Sequence, residues 1–106
     1  MPAVWLLGGA GADTLNGMGG NDVLFGESGA DIFVFMRGTG GDVIGDFAVG
    51  TDRIDLRSLG FANYAALSAV MVEVAGTTAI NLGLGDTIVI NGVAKAALSA
   101  ADLLLA

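Results

Sequence analysis

Gly8-Gly9-Ala10-Gly11-Ala12-Asp13-Thr14-Leu15-Asn16 runs without a gap into two further segments of the same length. These are Gly17-Met18-Gly19-Gly20-Asn21-Asp22-Val23-Leu24-Phe25 and Gly26-Glu27-Ser28-Gly29-Ala30-Asp31-Ile32-Phe33-Val34. Glycine stands first and fourth in each, Asp sixth, and a large apolar residue eighth. Such a unit reads as a tight turn followed by a short strand. Glycine admits the left-handed backbone of the turn and lets carbonyl oxygens crowd together. Asp closes the turn with a carboxylate, a hard oxygen ligand suited to calcium rather than to a thiophilic metal. The eighth residue points into a core, and its neighbours along the strand face outward. Each repeat reverses the chain once, so two repeats make one coil and the turns of repeats n and n+2 stack.

A fixed nine-residue period of this form resembles the calcium-binding nonapeptide repeat of repeats-in-toxin (RTX) proteins, whose units stack into a parallel β-roll. The resemblance implies a ligand set between stacked turns. The lower turn supplies carbonyls from its second and fourth residues, the upper turn from its first and third, and both Asp side chains join. Here that means Gly9, Gly11 and Asp13 against Gly26, Ser28 and Asp31. The equivalent positions of the other turns add Met18, Gly20, Asp22 and Gly29. The pattern persists more loosely in Gly40-Gly41-Asp42-Val43-Ile44 and Gly50-Thr51-Asp52-Arg53-Ile54, where successive Asp residues lie nine, nine, eleven and ten apart from Asp13 to Asp52. Asp22 then faces Asp42, and Asp31 faces Asp52, giving two further, less regular sites.

Composition bounds the rest. At 106 residues without Cys or His the chain is one domain, with no disulfide and no zinc or thiol chemistry. The formal charge is −7, and seven of nine Asp and thirteen of eighteen Gly fall between residues 8 and 55. Without a counter-ion, crowded carboxylates repel and glycine-rich turns cost much conformational entropy, so this half resists folding alone. Four scattered cations make no phosphate-binding stripe, which argues against nucleic acid. No apolar run reaches the roughly 20 residues of a membrane-spanning helix. Met1 to Leu7 lacks the basic start and apolar length of a signal peptide. Leu6 lies nine residues before Leu15, so this stretch reads as the tail of an earlier coil, with Trp5 and Leu7 partly exposed at its end.

Beyond the repeats, Asp42-Val43-Ile44-Gly45-Asp46-Phe47 and Gly50-Thr51-Asp52-Arg53-Ile54-Asp55-Leu56 alternate apolar with acidic residues. They resemble the segment that follows the nonapeptides in serralysin-type C-terminal domains. Phe61 to Leu67 is spaced for a short helix, Val70–Ala75 and Thr77–Leu82 for strands hinged at Gly76, and Asp86 to Ile90 for another strand. Gly83-Leu84-Gly85 and Asn91-Gly92 carry hairpin chemistry. Ser99 to Asp102 is a capping-box-like turn leading into Leu103-Leu104-Leu105. Together these features resemble the calcium-binding and secretion domain of type I secreted proteins. The expected fold is all-β: a right-handed parallel β-roll over about 8–56, capped over 57–106 by an antiparallel C-terminal sheet with short helices. Leu15, Leu24, Phe33, Ile44, Ile54 and Ile88 should face inward.

The resemblance implies a module that folds on meeting extracellular calcium. It also implies that the module is secreted, or held at the cell surface, by Gram-negative-type export without an N-terminal signal peptide. Asp102-Leu103-Leu104-Leu105 resembles the C-terminal signal of the type I secretion apparatus, and the passenger would lie upstream. Catalysis is not expected. The serines have no His to activate them, no zincin or phosphate-loop signature occurs, and Asp42 to Asp52 lacks EF-hand spacing. The alternative is a glycan- or surface-binding module of the kind attached to RTX epimerases and adhesins. Such a module wants more cations or aromatic rings than Arg37, Arg53, Arg57, Lys95, Tyr64 and Trp5 provide.

Overall fold

The computed structural model describes residues 5–16, 21–36, 40–83 and 86–105. Short strands dominate it. β1 (Trp5–Leu7), β2 (Thr14–Leu15), β3 (Val23–Phe25), β4 (Ile32–Val34), β5 (Gly41–Ile44) and β6 (Arg53–Asp55) alternate between two sheets. Odd strands pair in parallel in one sheet and even strands in the other, so each pair of repeats is one coil of a parallel β-roll. Trp5 pairs with Val23 and Thr14 with Ile32, an offset of two repeats. All six residues expected to point inward are buried; in β1, Leu6 packs on the core while Trp5 is 73% and Leu7 59% exposed.

The second half is laid onto these same two sheets. After a 3₁₀ turn (Arg57–Leu59) and a helix, α1 (Tyr64–Ser68), come β7 (Met71–Val74), β8 (Thr77–Gly83) and β9 (Asp86–Ile90). β7, β8 and β9 are antiparallel neighbours, and β9 lies parallel to β5, completing a six-stranded sheet in the order β1-β3-β5-β9-β8-β7. Two further 3₁₀ turns lead to β10 (Leu103–Leu104), which lies parallel to β6 and makes the other sheet four-stranded. β9 and β10 thus extend the stack by one coil, with Ile88 and Leu103 buried in register with Asp42 and Ile54.

Local chemistry sets the boundaries. The helix begins at Tyr64, not at Phe61, because Asn63 accepts a hydrogen bond from the Ala66 amide and caps it there. Ser99 and Asp102 form the expected capping box. Ala75 (φ 52°) and Gly76 (φ 78°) are both left-handed between the paired Val74 and Thr77, the two-residue turn that matches strand twist. Asn91-Gly92 departs from the hairpin expectation. Gly92 takes the left-handed conformation, yet the chain runs on into a 3₁₀ turn (Lys95–Ala97) rather than a paired strand. There Lys95 covers the outer edge of β7, its Nζ donating to the Met71 carbonyl and its amide to Glu73 Oε1. A lysine on an edge strand blocks further pairing.

Candidate metal centre

The turns that precede the even strands stack as their period requires. Asp13 donates its amide N–H to Asp31 Oδ1 at 2.9 Å, and Asp31 donates its own to Asp52 Oδ1 at 2.9 Å. On the opposite side of the roll, the Asp22 amide donates to Asp42 Oδ1 at 3.0 Å. Three Asp pairs expected to face each other are therefore in direct contact. Glycine is required where the turns touch. Gly29, at φ 95°, rests on the Gly11 carbonyl so closely that any Cβ would strike it. A Cβ on Gly8 would come within 2.9 Å of both Asp13 Oδ2 and the Gly26 carbonyl oxygen, and one on Gly26 would collide with Asp31 Oδ2. Bare backbone and carboxylate oxygens thus crowd one place between two turns.

Two of those oxygens lack donors. Asp13 Oδ2 and Asp31 Oδ2 are buried and receive no hydrogen bond among the described residues. A buried anionic oxygen left unpaired costs more than a neutral one, of order several kcal/mol, unless a cation accompanies it. The Asp13–Asp31 turns fit such a cation: hard oxygen donors, close backbone carbonyls and, among the described residues, no N–H or ammonium group on either Oδ2. Gly9 and Gly11 (φ 82° and 92°) hold the lower turn in left-handed backbone, while Ser28 is exposed in the upper one. Met18 and Gly20 lie outside the described residues.

The profile of the RTX calcium-binding nonapeptide repeat family matches residues 5–33, the span that holds these two turns. These are RTX calcium-binding repeats. The ion they bind is Ca²⁺. RTX repeats are typical of extracellular proteins, and no helix among the described residues is long and apolar enough to cross a membrane. Among solved structures, the chain is similar to the solution structure of the AlgE6R3 subunit of the Azotobacter vinelandii mannuronan C5-epimerase. That likeness has 26% sequence identity and a TM-score of 0.49, covering 99% of this chain and 79% of the other. No curated protein matches the chain.

The roll also uses acidic side chains outside the set read from the repeats. Asp46 accepts from the Gly26 and Glu27 amides at 2.9 and 2.8 Å, Asp86 from Gly40 at 3.0 Å, and Asp102 from Gly50 at 3.0 Å. Asn21 Oδ1 accepts from Gly41. One signal could have found Asp46. It follows Gly26 by 20 residues, the offset that separates Asp22 from Asp42. Asp86 and Asp102 follow their partners by 46 and 52 residues, beyond the reach of any local period.

Proposed function

We propose that this chain is a non-catalytic, calcium-triggered folding module of a secreted protein, with a C-terminus that addresses an upstream passenger to type I export. The observation that carries it is the pair of buried carboxylate oxygens, on Asp13 and Asp31, without donors between stacked glycine turns. Asp13, Asp31 and the carbonyls of Gly9, Gly11, Gly26 and Ser28 would hold one ion. Asp22 and Asp42, with Met18 and Gly20, would hold another on the opposite side. Asp52, expected to share a third site with Asp31, has both carboxylate oxygens taken by the Asp31 and Ala48 amides and is left out of the set. Calcium supplies positive charge against these carboxylates.

The consequence follows from mass action. At ~1 mM calcium and a dissociation constant of ~0.1 mM, each site adds about 1.4 kcal/mol to folding. Two such sites then matter to a domain whose total stability is about 5–15 kcal/mol. We take residues 1–106 as one folding unit, since β9 and β10 pair with β5 and β6 across the division at Leu56. Asp102-Leu103-Leu104-Leu105 is the exported address in this reading. β10 is paired in the folded chain, so the exporter meets this segment before the roll forms, in the low calcium of the cell interior.

Circular dichroism during a calcium titration of chelated protein tests the first half of the reading. The β signal should rise with calcium and fall on chelation, most strongly from the N-terminal half; an unchanged spectrum and melting temperature would overturn it. For the export half, a passenger fused to the whole chain should reach the medium of cells carrying a type I exporter. Replacing Asp102-Leu103-Leu104-Leu105 by Gly-Ser residues should abolish this, and undiminished export would refute the address.

A further inference from the structure

The outward face of the six-stranded sheet is apolar from one edge to the other. Register places Trp5, Val23, Val43, Val89, Ala79 and Val72 in one row, a single residue from each strand in spatial order. A second row begins with Leu7 and Phe25 and ends at Val74 on the far edge. The Phe25 ring lies across bare Gly45, with Trp5 tilted against it at 5.6 Å. Trp5, Leu7, Val72 and Val74 are 57–73% exposed. Outward positions elsewhere on this sheet are Thr77, Asn81 and Thr87, so no charge stands among them although the chain carries −7. The four-stranded sheet is ordinary by comparison: its outward row reads Thr14, Ile32, Arg53.

We propose that this face is the interface of a homodimer, two copies packing sheet on sheet about a two-fold axis parallel to the strands. Three observations select a second copy as the occupant. The first is area. With strands about 4.8 Å apart, six of them carry the rows across ~24 Å, and joining two such faces removes on the order of 1,200 Å² from water, the lower bound for a specific association. The share of one copy, about 600 Å², stands at the top of the range that monomers leave in solvent, where such patches mark binding sites. The second is shape. The row tapers from Trp5 to Ala79 and Val72, and an axis along the strands sets the bulky end of one copy over the small end of the other. The third is charge. The acidic residues cluster in the turns, so two copies of charge −7 can meet on this face without opposing carboxylates across it.

Trp5 is the one tryptophan of the chain and reports the contact. Sedimentation velocity and tryptophan emission, in calcium-containing buffer over about a hundredfold concentration range, test the proposal. The mass should move from 10.5 kDa to twice that value, with a blue shift of Trp5 emission over the same range. Val72→Glu with Val74→Glu places two charges at exposed positions that contribute nothing to the core. It should raise the dissociation constant at least about tenfold with an unaltered circular dichroism spectrum. Leu7→Glu, at the opposite edge, should do the same and serves if the first variant misfolds. A chain that stays monomeric throughout overturns the proposal, as does a dimer that neither variant weakens. A monomer whose Trp5 shifts only on adding phosphatidylcholine vesicles assigns the face to lipid and overturns it equally.

Discussion

The Asp13–Asp31 turns and the later turns that carry Asp46, Asp52 and Asp102 all set carboxylates between stacked coils and satisfy them differently. In the first pair Asp31 Oδ1 accepts one amide, while Asp13 Oδ2 and Asp31 Oδ2 are buried with no donor among the described residues. In the later turns both oxygens of each carboxylate are engaged. Asp46 takes the Gly26 and Glu27 amides, Asp52 those of Asp31 and Ala48, and Asp102 those of Gly50 and Ser99. Amide N–H groups there do what a cation must do nearer the start. One roll therefore contains a metal-demanding end and a self-satisfied end, and Asp31, touching Asp13 below and Asp52 above, stands at the change.

Substitutions can break or sharpen this contrast. The largest effect is expected from Gly29→Ala. Its φ of 95° disfavours any side chain, and the new Cβ has no room beside the Gly11 carbonyl, so chemical denaturation in calcium should show a loss of about 2–4 kcal/mol. Next come two matched exchanges. Asp52→Asn turns an amide of the new side chain toward an existing N–H donor and should cost about 1–3 kcal/mol with or without calcium. Asp31→Asn should destabilise the protein in calcium and stabilise it in chelator, because it removes a buried charge that only a cation offsets. Melting all three proteins in both buffers reads the sign directly. Equal behaviour of the two variants would abolish the distinction between the ends.

A smaller gain is expected within the self-satisfied end. Ala75 carries a φ of 52° in the β7–β8 turn, and Ala75→Gly relieves it, raising stability by roughly 0.5–1 kcal/mol irrespective of calcium. The smallest effect concerns Arg57, whose guanidinium meets Asp55 at 2.8 Å and, through that hydrogen bond, holds the Asp55 carboxyl below its ordinary value. A lowered carboxyl contributes stability that is present above the ordinary carboxylate range and is lost as the pH falls through the lowered value. Arg57→Met should therefore melt slightly below the parent at neutral pH, with the gap closing in strong acid. A gap that widens on acidification contradicts the pairing. The exposure of Arg57 keeps the effect small.

How far the sequence reveals this depends on the range of the interaction. Leu15, Leu24, Phe33, Ile44 and Ile54 were legible because a period of nine to eleven residues places them, and Ile88 because its strand alternates. The stacking of Asp13 on Asp31 follows from the same period. Asp102 was not legible as a turn acceptor: it reaches Gly50 only because β10 docks beside β6, a contact set by tertiary packing after a long excursion. Asn91-Gly92 announces a reversal correctly, but turn chemistry is silent on whether a strand follows. The apolar row across six strands escaped too, since it joins residues from six separate segments that only register aligns.

The parallel offset of eighteen residues between the first coils has an evolutionary corollary. An in-frame duplication of eighteen residues among the repeats returns every turn to its own side and leaves inward and outward faces unchanged. A duplication of nine exchanges the sides, moving Asp13's successors onto the column of Asp22 and stranding β1 and β2 in the wrong sheets. At the far end Lys95 seals β7, so length cannot be added there without dismantling the Met71 contact. Such a gene can lengthen its protein in whole coils from the glycine-rich end, and selection can tune how many ions the product holds by copying alone.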